Sequence, residues 1–250
     1  MQGWLTSVDV RSRADGWAVG YTRPGPLSAA SSTLIEHWNG RRWSRVPSPD
    51  LTREQVPSSV SAISAGTAWA VGAYATRNGD AVRILIVRWN GTRWSRVPSP
   101  NPGGSTNNGL NVLSGVAVAS PRDAWAVGYF ERGNGDDPRA MILHWNGRRW
   151  SRVPSPNVTG QQVLLSVSAA SARDAWAVGV YLTRNSEAVR TRVAGPSLGQ
   201  HEHSLFGVST LSRQSAWVVG ETCIRSCNDR AVTQPLVVRW NGRRWQAGLS

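Results

Sequence analysis

The sequence predicts an all-β protein made of short, repeated sheets, and three observations predict it. The first is a fivefold anchor of Trp, a small residue, Val and Gly, at Trp17–Gly20, Trp69–Gly72, Trp125–Gly128, Trp176–Gly179 and Trp217–Gly220. A valine stands nine positions before each anchor: Val8, Val60, Val116, Val167 and Val208. The second is Trp-Asn-Gly-x-Arg-Trp, which completes four of the five copies, at Trp38–Trp43, Trp89–Trp94, Trp145–Trp150 and Trp240–Trp245. The third is punctuation: 25 glycines and 14 prolines, placed between apolar runs too short for helices. A period of about 50 residues made of short strands means stacked or radial sheets.

Each unit parses into four strands. Strand one is the Leu-x-Ser-Val-Ser-Ala type, as in Leu164–Ala169, and strand two is the anchor, as in Asp174–Gly179. Strand three is an apolar run ending at Asn-Gly, such as Ile84–Trp89 or Met141–Trp145. Strand four is Trp-Ser-Arg-Val-Pro-Ser-Pro, at Trp43–Pro49, Trp94–Pro100 and Trp150–Pro156. Proline cannot donate to a ladder, so strand four belongs at an outer edge. The anchor alternates large and small residues, which suits sheets stacked about an axis. Ile84, Leu85, Ile86 and Val87 are apolar on both faces, so strand three needs cover on both sides, whereas a two-sheet sandwich leaves one face wet. The expectation is therefore a five-bladed β-propeller of four-stranded blades. Its single domain, 1–250, divides at about 1–50, 51–101, 102–157, 158–203 and 204–250, or forms part of a longer wheel.

Asn-Gly between strand-like runs is a strong hairpin signal. A two-residue loop at Asn39-Gly40 pairs Trp38 with Arg41 and His37 with Arg42, and brings Trp43 diagonally near Trp38. Arg41 then shares their face and can stack on an indole. The fourth unit breaks the pattern. Asn185–Arg190 matches Asn78–Arg83, but Thr191–Ser197 follows at once, so strand three and its hairpin read as deleted and this blade as truncated.

The net charge is +13, and all 28 basic residues are arginine. They recur with the repeat instead of clustering, and a phosphate-binding surface would normally include lysine. Weak anion attraction is expected, not nucleic-acid recognition. No apolar run reaches the length of a membrane span, and Met1-Gln2-Gly3-Trp4 leads directly into the first unit without a signal peptide.

The order Leu-x-Ser-Val, Trp-Ala-Val-Gly, Ile-Leu-x-x, Asn-Gly-x-x-Trp resembles the bacterial Asp-box (neuraminidase-repeat) and photosystem-II-assembly-factor-like propellers. In those families a turn with Asp or Asn and Gly, closed by Trp, joins strands three and four, the place held here by Asn39, Gly40 and Trp43. The full Ser-x-Asp-x-Gly-x-Thr-Trp box is absent from the sequence. The wording Asp-Ala-Trp-Ala-Val-Gly and His-Trp-Asn-Gly-x-x-Trp is similar to repeats of actinobacterial and other soil-bacterial secreted proteins. The resemblance implies a propeller and motifs that are structural.

No catalytic residues, metal ligands or cofactor are expected. Glycoside hydrolysis needs two convergent carboxyls, but Asp15, Asp123 and Asp174 recur beside the anchor as turn caps. Glu36, Glu202 and Glu221 are unique, with nothing placing two together. His201-Glu202-His203 lacks a third ligand, His37 and His144 stand where sister units have Arg88 and Arg239, and Gly133–Asp137 reads as a turn. Cys223 and Cys227 fit a loop-stapling disulfide, which points to an oxidising compartment. Recurrence marks the tryptophans as packing residues rather than a carbohydrate platform. The function expected is a non-catalytic binding propeller, extracellular or at the cell surface, whose rim loops Tyr21–Ser32, Tyr74–Ala81, Tyr129–Ala140 and Thr222–Gln234 hold a saccharide or cell-surface polymer. The alternatives are a hydrolase or lyase with an axial site, a protein-interaction scaffold, and a cytoplasmic location.

Overall fold

The computed structural model describes residues 2–25, 30–49, 51, 54–104, 108–133, 135–155, 160–171, 174–182, 189–190, 203–225 and 232–247. Cys227, His201 and Glu202 lie outside these residues, as does the side chain of Cys223, so the expected disulfide and the His-Glu-His segment have no structural description.

The first unit is β1 (Gln2–Ser12), β2 (Asp15–Arg23), β3 (Ser32–Trp38) and β4 (Trp43–Arg45). The second is β5 (Gln55–Ser64), β6 (Thr67–Ala75), β7 (Ala81–Trp89) and β8 (Trp94–Arg96). The third is β9 (Gly109–Ser120), β10 (Asp123–Glu131), β11 (Arg139–Trp145) and β12 (Trp150–Val153). The fourth has β13 (Gln161–Ser171), β14 (Asp174–Leu182) and the two-residue β15 (Val189–Arg190). The fifth is β16 (His203–Ser212), β17 (Ser215–Arg225), β18 (Val232–Trp240) and β19 (Trp245–Ala247). Every unit is an antiparallel meander among the described residues, and in the first three the short proline-flanked strand follows strand three at the outside, as expected from the proline rule.

Successive units pack through their first strands, β1 on β5, β5 on β9, β9 on β13 and β13 on β16. The cores therefore lie between units. One joins Trp17, Val19 and Ile35 of the first unit to Val60, Ala70, Leu85, Val87 and Trp94 of the second. Another joins Trp69, Val71 and Ile86 to Val116, Leu143, Trp145 and Trp150. A third joins Val178 and Trp176 to Val218, Val238 and Trp245. Amides stitch the same joints: Ser7 and Asp9 accept from the Val60 and Ala62 N–H groups, Ser59 and Ser61 from Val116 and Val118, and Ser166 and Ser168 from Val208 and Thr210. A parallel pairing of Ala81–Val82 with Gly109–Leu110 links the second and third sheets, seated by buried Asn111, whose amide donates to the Val82 carbonyl. The outward faces of the first and fifth units are open: Val8 and Val10 on one, Trp217 and Val219 on the other are exposed.

Two expectations need correcting. The Asn-Gly hairpin is a four-residue loop, not two. Trp38 pairs directly with Trp43, His37 with Ser44 and Glu36 with Arg45, and the other three hairpins share the register. The physical reason is the asparagine side chain: Asn39 Oδ1 accepts from the N–H groups of Arg41 and Arg42, while the Asn39 N–H reaches the Arg42 carbonyl. Only Gly40 then needs positive φ, at 90°, whereas a two-residue type I′ loop needs it twice. Arg41 is accordingly not the ring-stacking cation; Arg88 lies over Trp69 and Trp145, and Arg239 over Trp217.

The anchor glycine is the second correction. Its smallness serves its own blade rather than the next one. Each first strand carries a bulge opposite that glycine, for example between Pro57 and Ser59 opposite Gly72 and between Leu113 and Gly115 opposite Gly128. The bulge drives the first strand's backbone to where a side chain at the glycine would stand.

Candidate functional site

The tryptophans build one recurring lock. Trp17 meets Trp89 of the next unit at 5.0 Å, tilted, and Trp94 at 5.1 Å, edge-on at 89°. Trp69 meets Trp145 and Trp150 at 5.0 and 5.1 Å, and Trp176 meets Trp240 and Trp245 at 5.6 and 5.1 Å. These three anchors thus each fit a hairpin pair, whose own rings lie 5.6–5.9 Å apart, and the edge-on geometry suits the indole quadrupole; Trp217, in the last unit, lies on the open outward face. Trp38 and Trp43, 5.8 Å apart, form a pair on the open face of the first unit, where Trp43 is exposed.

Trp125 is the exception. Its next unit has no Trp-Asn-Gly-x-Arg-Trp segment, and among the described residues its ring partner is His144 of its own sheet, at 4.3 Å. Where the pair stands in sister joints there is an open cleft of about 240 Å³. Trp125, Val127 and Ile142 line one wall, and Val167, Ala175, Trp176 and Ala177 the other. The indole N–H groups of Trp125 and Trp176 are buried without a hydrogen-bond partner. Sequence reasoning missed this site by treating all anchors as equivalent. The signal was present in the truncated fourth unit, but reading it requires knowing that an anchor packs on the following unit's hairpin.

The joint is also closer near its first strands. Gly115 and Ala117 stand where the other joints have Ser or Asp side chains that accept hydrogen bonds, and a Cβ on Gly115 would lie 3.3 Å from the Ser166 Cα. The two sheets touch there and part farther out, along β14.

Two of the recurrent acids, Asp15 and Asp123, have partners across the sheet, which corrects their reading as turn caps. Asp15 accepts from Arg11 Nε at 2.9 Å and pairs with His37 Nε2 at 2.9 Å; Asp123 pairs with His144 Nε2 at 2.8 Å. The turn amides are held instead by Ser12, Ser120 and Ser212. His37 and His144, at the position of Arg88 and Arg239 in sister units, each cover the anchor indole of their own unit. Arg11 also donates to the Ile63 carbonyl of the next unit, so this cluster ties two blades. Burial pushes the Asp15 carboxyl up, but the bonds from His37 and Arg11 outweigh it and hold the group below its ordinary value. A carboxyl lowered on folding contributes stability above its unfolded pKa of about 3.9 and loses it as pH falls through the folded value. Asp15→Asn should lower stability by about 1–2 kcal/mol at pH 7 and flatten the loss of stability below pH ~4. Urea midpoints measured from pH 2 to 7 check this; an unchanged acid limb would refute it.

A further departure from the repeat lies at the first rim. Trp4, exposed, stacks on Tyr21 at 5.3 Å and 22°, and the Arg23 guanidinium lies over both rings at 5.7 and 5.0 Å. An open hollow of about 360 Å³ under the outer edge of the same unit is lined by Thr33, Arg45 and Val46–Ser48. Among the described residues no three His, Cys, Asp or Glu side chains gather as a metal site, and no helix is long and apolar enough to cross a membrane.

Fold and joints together define the class: an all-β, propeller-type repeat protein whose blades are locked by tryptophan. No known protein-family model matches the sequence, and no curated protein matches it. Among solved structures the chain is similar to "YCF48 bound to D1 peptide", with 16% identity and a TM-score of 0.48, over 98% of this chain and 66% of that one. It is also similar to a GH43 endo-arabinanase from Bacillus licheniformis, with 9% identity and a TM-score of 0.44, over 96% and 94% of the two chains. The chain therefore spans just under two thirds of the first of these structures. Likeness at this level bears on neither activity nor ligand.

Proposed function

We propose that the protein is a non-catalytic binding propeller, acting outside the cell, that holds a saccharide or related cell-surface polymer at its rim. The observation that carries this reading is the Trp4, Tyr21 and Arg23 stack, an exposed aromatic surface next to the first rim loop. Trp4 is the one tryptophan outside the anchor and hairpin positions. Flat rings backed by a guanidinium suit the apolar face of a sugar ring while leaving polar edges free for its hydroxyls. The recurrent acids support a binding rather than hydrolytic role, because Asp15 and Asp123 are each committed to a histidine of their own blade. Retardation on polysaccharide-containing gels should weaken about tenfold or more in Trp4→Ala with the fold unchanged. Failure of a broad polysaccharide panel to retard the protein, or equal retardation of the variant, sinks the reading. A protein-interaction scaffold is the second reading, favoured by the cleft beside Trp125.

A further inference from the structure

Packing the units side by side turns a sequence repeat into a surface. Within a unit, the turn between strands one and two and the Asn-Gly loop lie at the same end of the sheet. A Cβ on Gly40 would stand 3.1 Å from the Ala14 Cα, and one on Gly147 would stand 3.1 Å from the Arg122 Cβ. The flanking indoles tie turn and loop together, Trp38 Nε1 donating to the Arg13 carbonyl and Trp240 Nε1 to that of Arg213. Between units, strand one meets strand one within a residue of the same repeat position: Ser7 with Val60, Ser59 with Val116 and Ser166 with Val208. The blades are therefore in register, and these turns and loops share one rim. Arginines that recur with the repeat are for that reason gathered in space, which corrects the reading of recurrence as the opposite of clustering.

On this rim the first, third and fifth units each present three arginines, as Arg13, Arg41 and Arg42 do in the first, and the second presents Arg93; all of them are exposed. Neither the turns nor the loops contain Asp or Glu. Of the acids at the adjoining strand ends, Asp15 is committed to Arg11 and His37, and Asp123 to His144. Among the described residues the one rim arginine near a carboxylate is Arg213, 3.9 Å from Asp174. Acids stand instead at the opposite rim, with Asp80, Asp136 and Asp137 in the loops that follow strand two. That opposite rim is also the one that carries the Trp4 stack.

We propose that the Asn-Gly rim is a binding surface for an acidic polysaccharide, whose carboxylates lie across the arginine loops of successive blades. The proposal does not rest on the Trp4 reading, which concerns the other rim. A surface of one sign raises the local concentration of a polyanion, and loops spread over several blades favour a polymer over a single anion. Guanidinium forks match planar carboxylates two bonds at a time, whereas a phosphate surface would normally add lysine as a point charge, and the chain has no lysine. The turns and loops hold no aromatic residue, so they offer no platform for stacking the bases of single-stranded nucleic acid. The loops are also pre-ordered. The Oδ1 atoms of Asn39, Asn146 and Asn241 each accept from the backbone N–H groups of both arginines in their loop, which fixes the backbone and leaves the guanidinium groups uncommitted.

The test is titration of the full chain with polygalacturonate. Saturable binding is expected, and it should weaken steeply as salt is added, because exposed charges are screened. Arg148→Gln combined with Arg149→Gln should weaken it about tenfold or more, through loss of two charge-assisted contacts. Arg77→Gln combined with Arg132→Gln removes the same charge from exposed positions of the opposite rim and should weaken it less than about twofold. Retardation by neutral polysaccharides, which reads the Trp4 surface, should be unchanged in the Arg148 and Arg149 variant, so the two rims fail separately. Absence of binding overturns the proposal. Equal weakening by the two double variants also overturns it, since net charge alone would then be acting. Tighter binding of sodium polyphosphate or of a single-stranded oligonucleotide than of polygalacturonate, at matched charge, overturns the choice of a carboxylate polymer.

Discussion

Trp69→Ala should be one of the two most damaging of the five anchor replacements, with a loss of about 3–5 kcal/mol. Trp69 is fully buried, and its ring contacts two indoles of the third blade and the Arg88 guanidinium. Removing it empties a cavity between two blades whose backbones are held by their own ladders and cannot collapse, so both transfer and cavity terms apply. Trp17→Ala should match it, since that ring is 1% exposed and meets Trp89 and Trp94. Trp217→Ala should fall within about 1 kcal/mol of the native chain, because Trp217 is 39% exposed. Trp125→Ala should lie between, since its cleft already withholds the indole pair. Denaturant midpoints for the five variants check the order. Five equal losses would mean that the anchors act within their own sheets, and would remove the lock as the principle of assembly.

Gly72→Ala and Gly128→Ala should each destabilise by about 2–4 kcal/mol, against the slight gain usual when glycine in a strand becomes alanine. At Gly128 the added Cβ would overlap the Val112 carbonyl oxygen and stand 2.8 Å from the Leu113 Cα; at Gly72 it would overlap the Val56 carbonyl oxygen and stand 2.7 Å from the Pro57 Cα. Backbone atoms cannot swing aside as a side-chain tip can. The first strand must move, and with it the joint it forms with the neighbouring blade. Gly66→Ala is the control: a Cβ there meets only Ser64 Oγ at 4.0 Å. If the two anchor variants unfold at the same denaturant concentration as this control, the bulge is not what selects glycine.

The candidate site was half legible. The lack of a Trp-Asn-Gly-x-Arg-Trp segment in the fourth unit could be read from the sequence, and Trp4 stood visibly outside the repeat. Their consequences could not. That Trp125 is an anchor without a hairpin pair among the described residues follows only once the other anchors are seen to meet the hairpin of the following blade, a contact between residues some seventy positions apart. Tyr21 and Arg23 become a platform with Trp4 only because β1 and β2 pair in a register that places Trp4 opposite Tyr21. The His–Asp pairs were hidden for the same reason: Asp15 and His37 sit at opposite ends of a hairpin and meet by register.

The sequence by itself determined what is local: the repeat length, the strands and their order, the outer position of the proline-flanked strand, and the glycine at each Asn-Gly turn. These follow from periodicity and turn chemistry, which act over a few residues. Tertiary structure decided the four-residue hairpin register, the bulge that demands the anchor glycine, and the pairing of Trp17, Trp69 and Trp176 with the next blade's indoles. Each depends on where a second strand or a second sheet lies. A tryptophan's place in the repeat is written in its neighbours in sequence, but whether it is a lock, a platform or an open cleft depends on what arrives from the next blade.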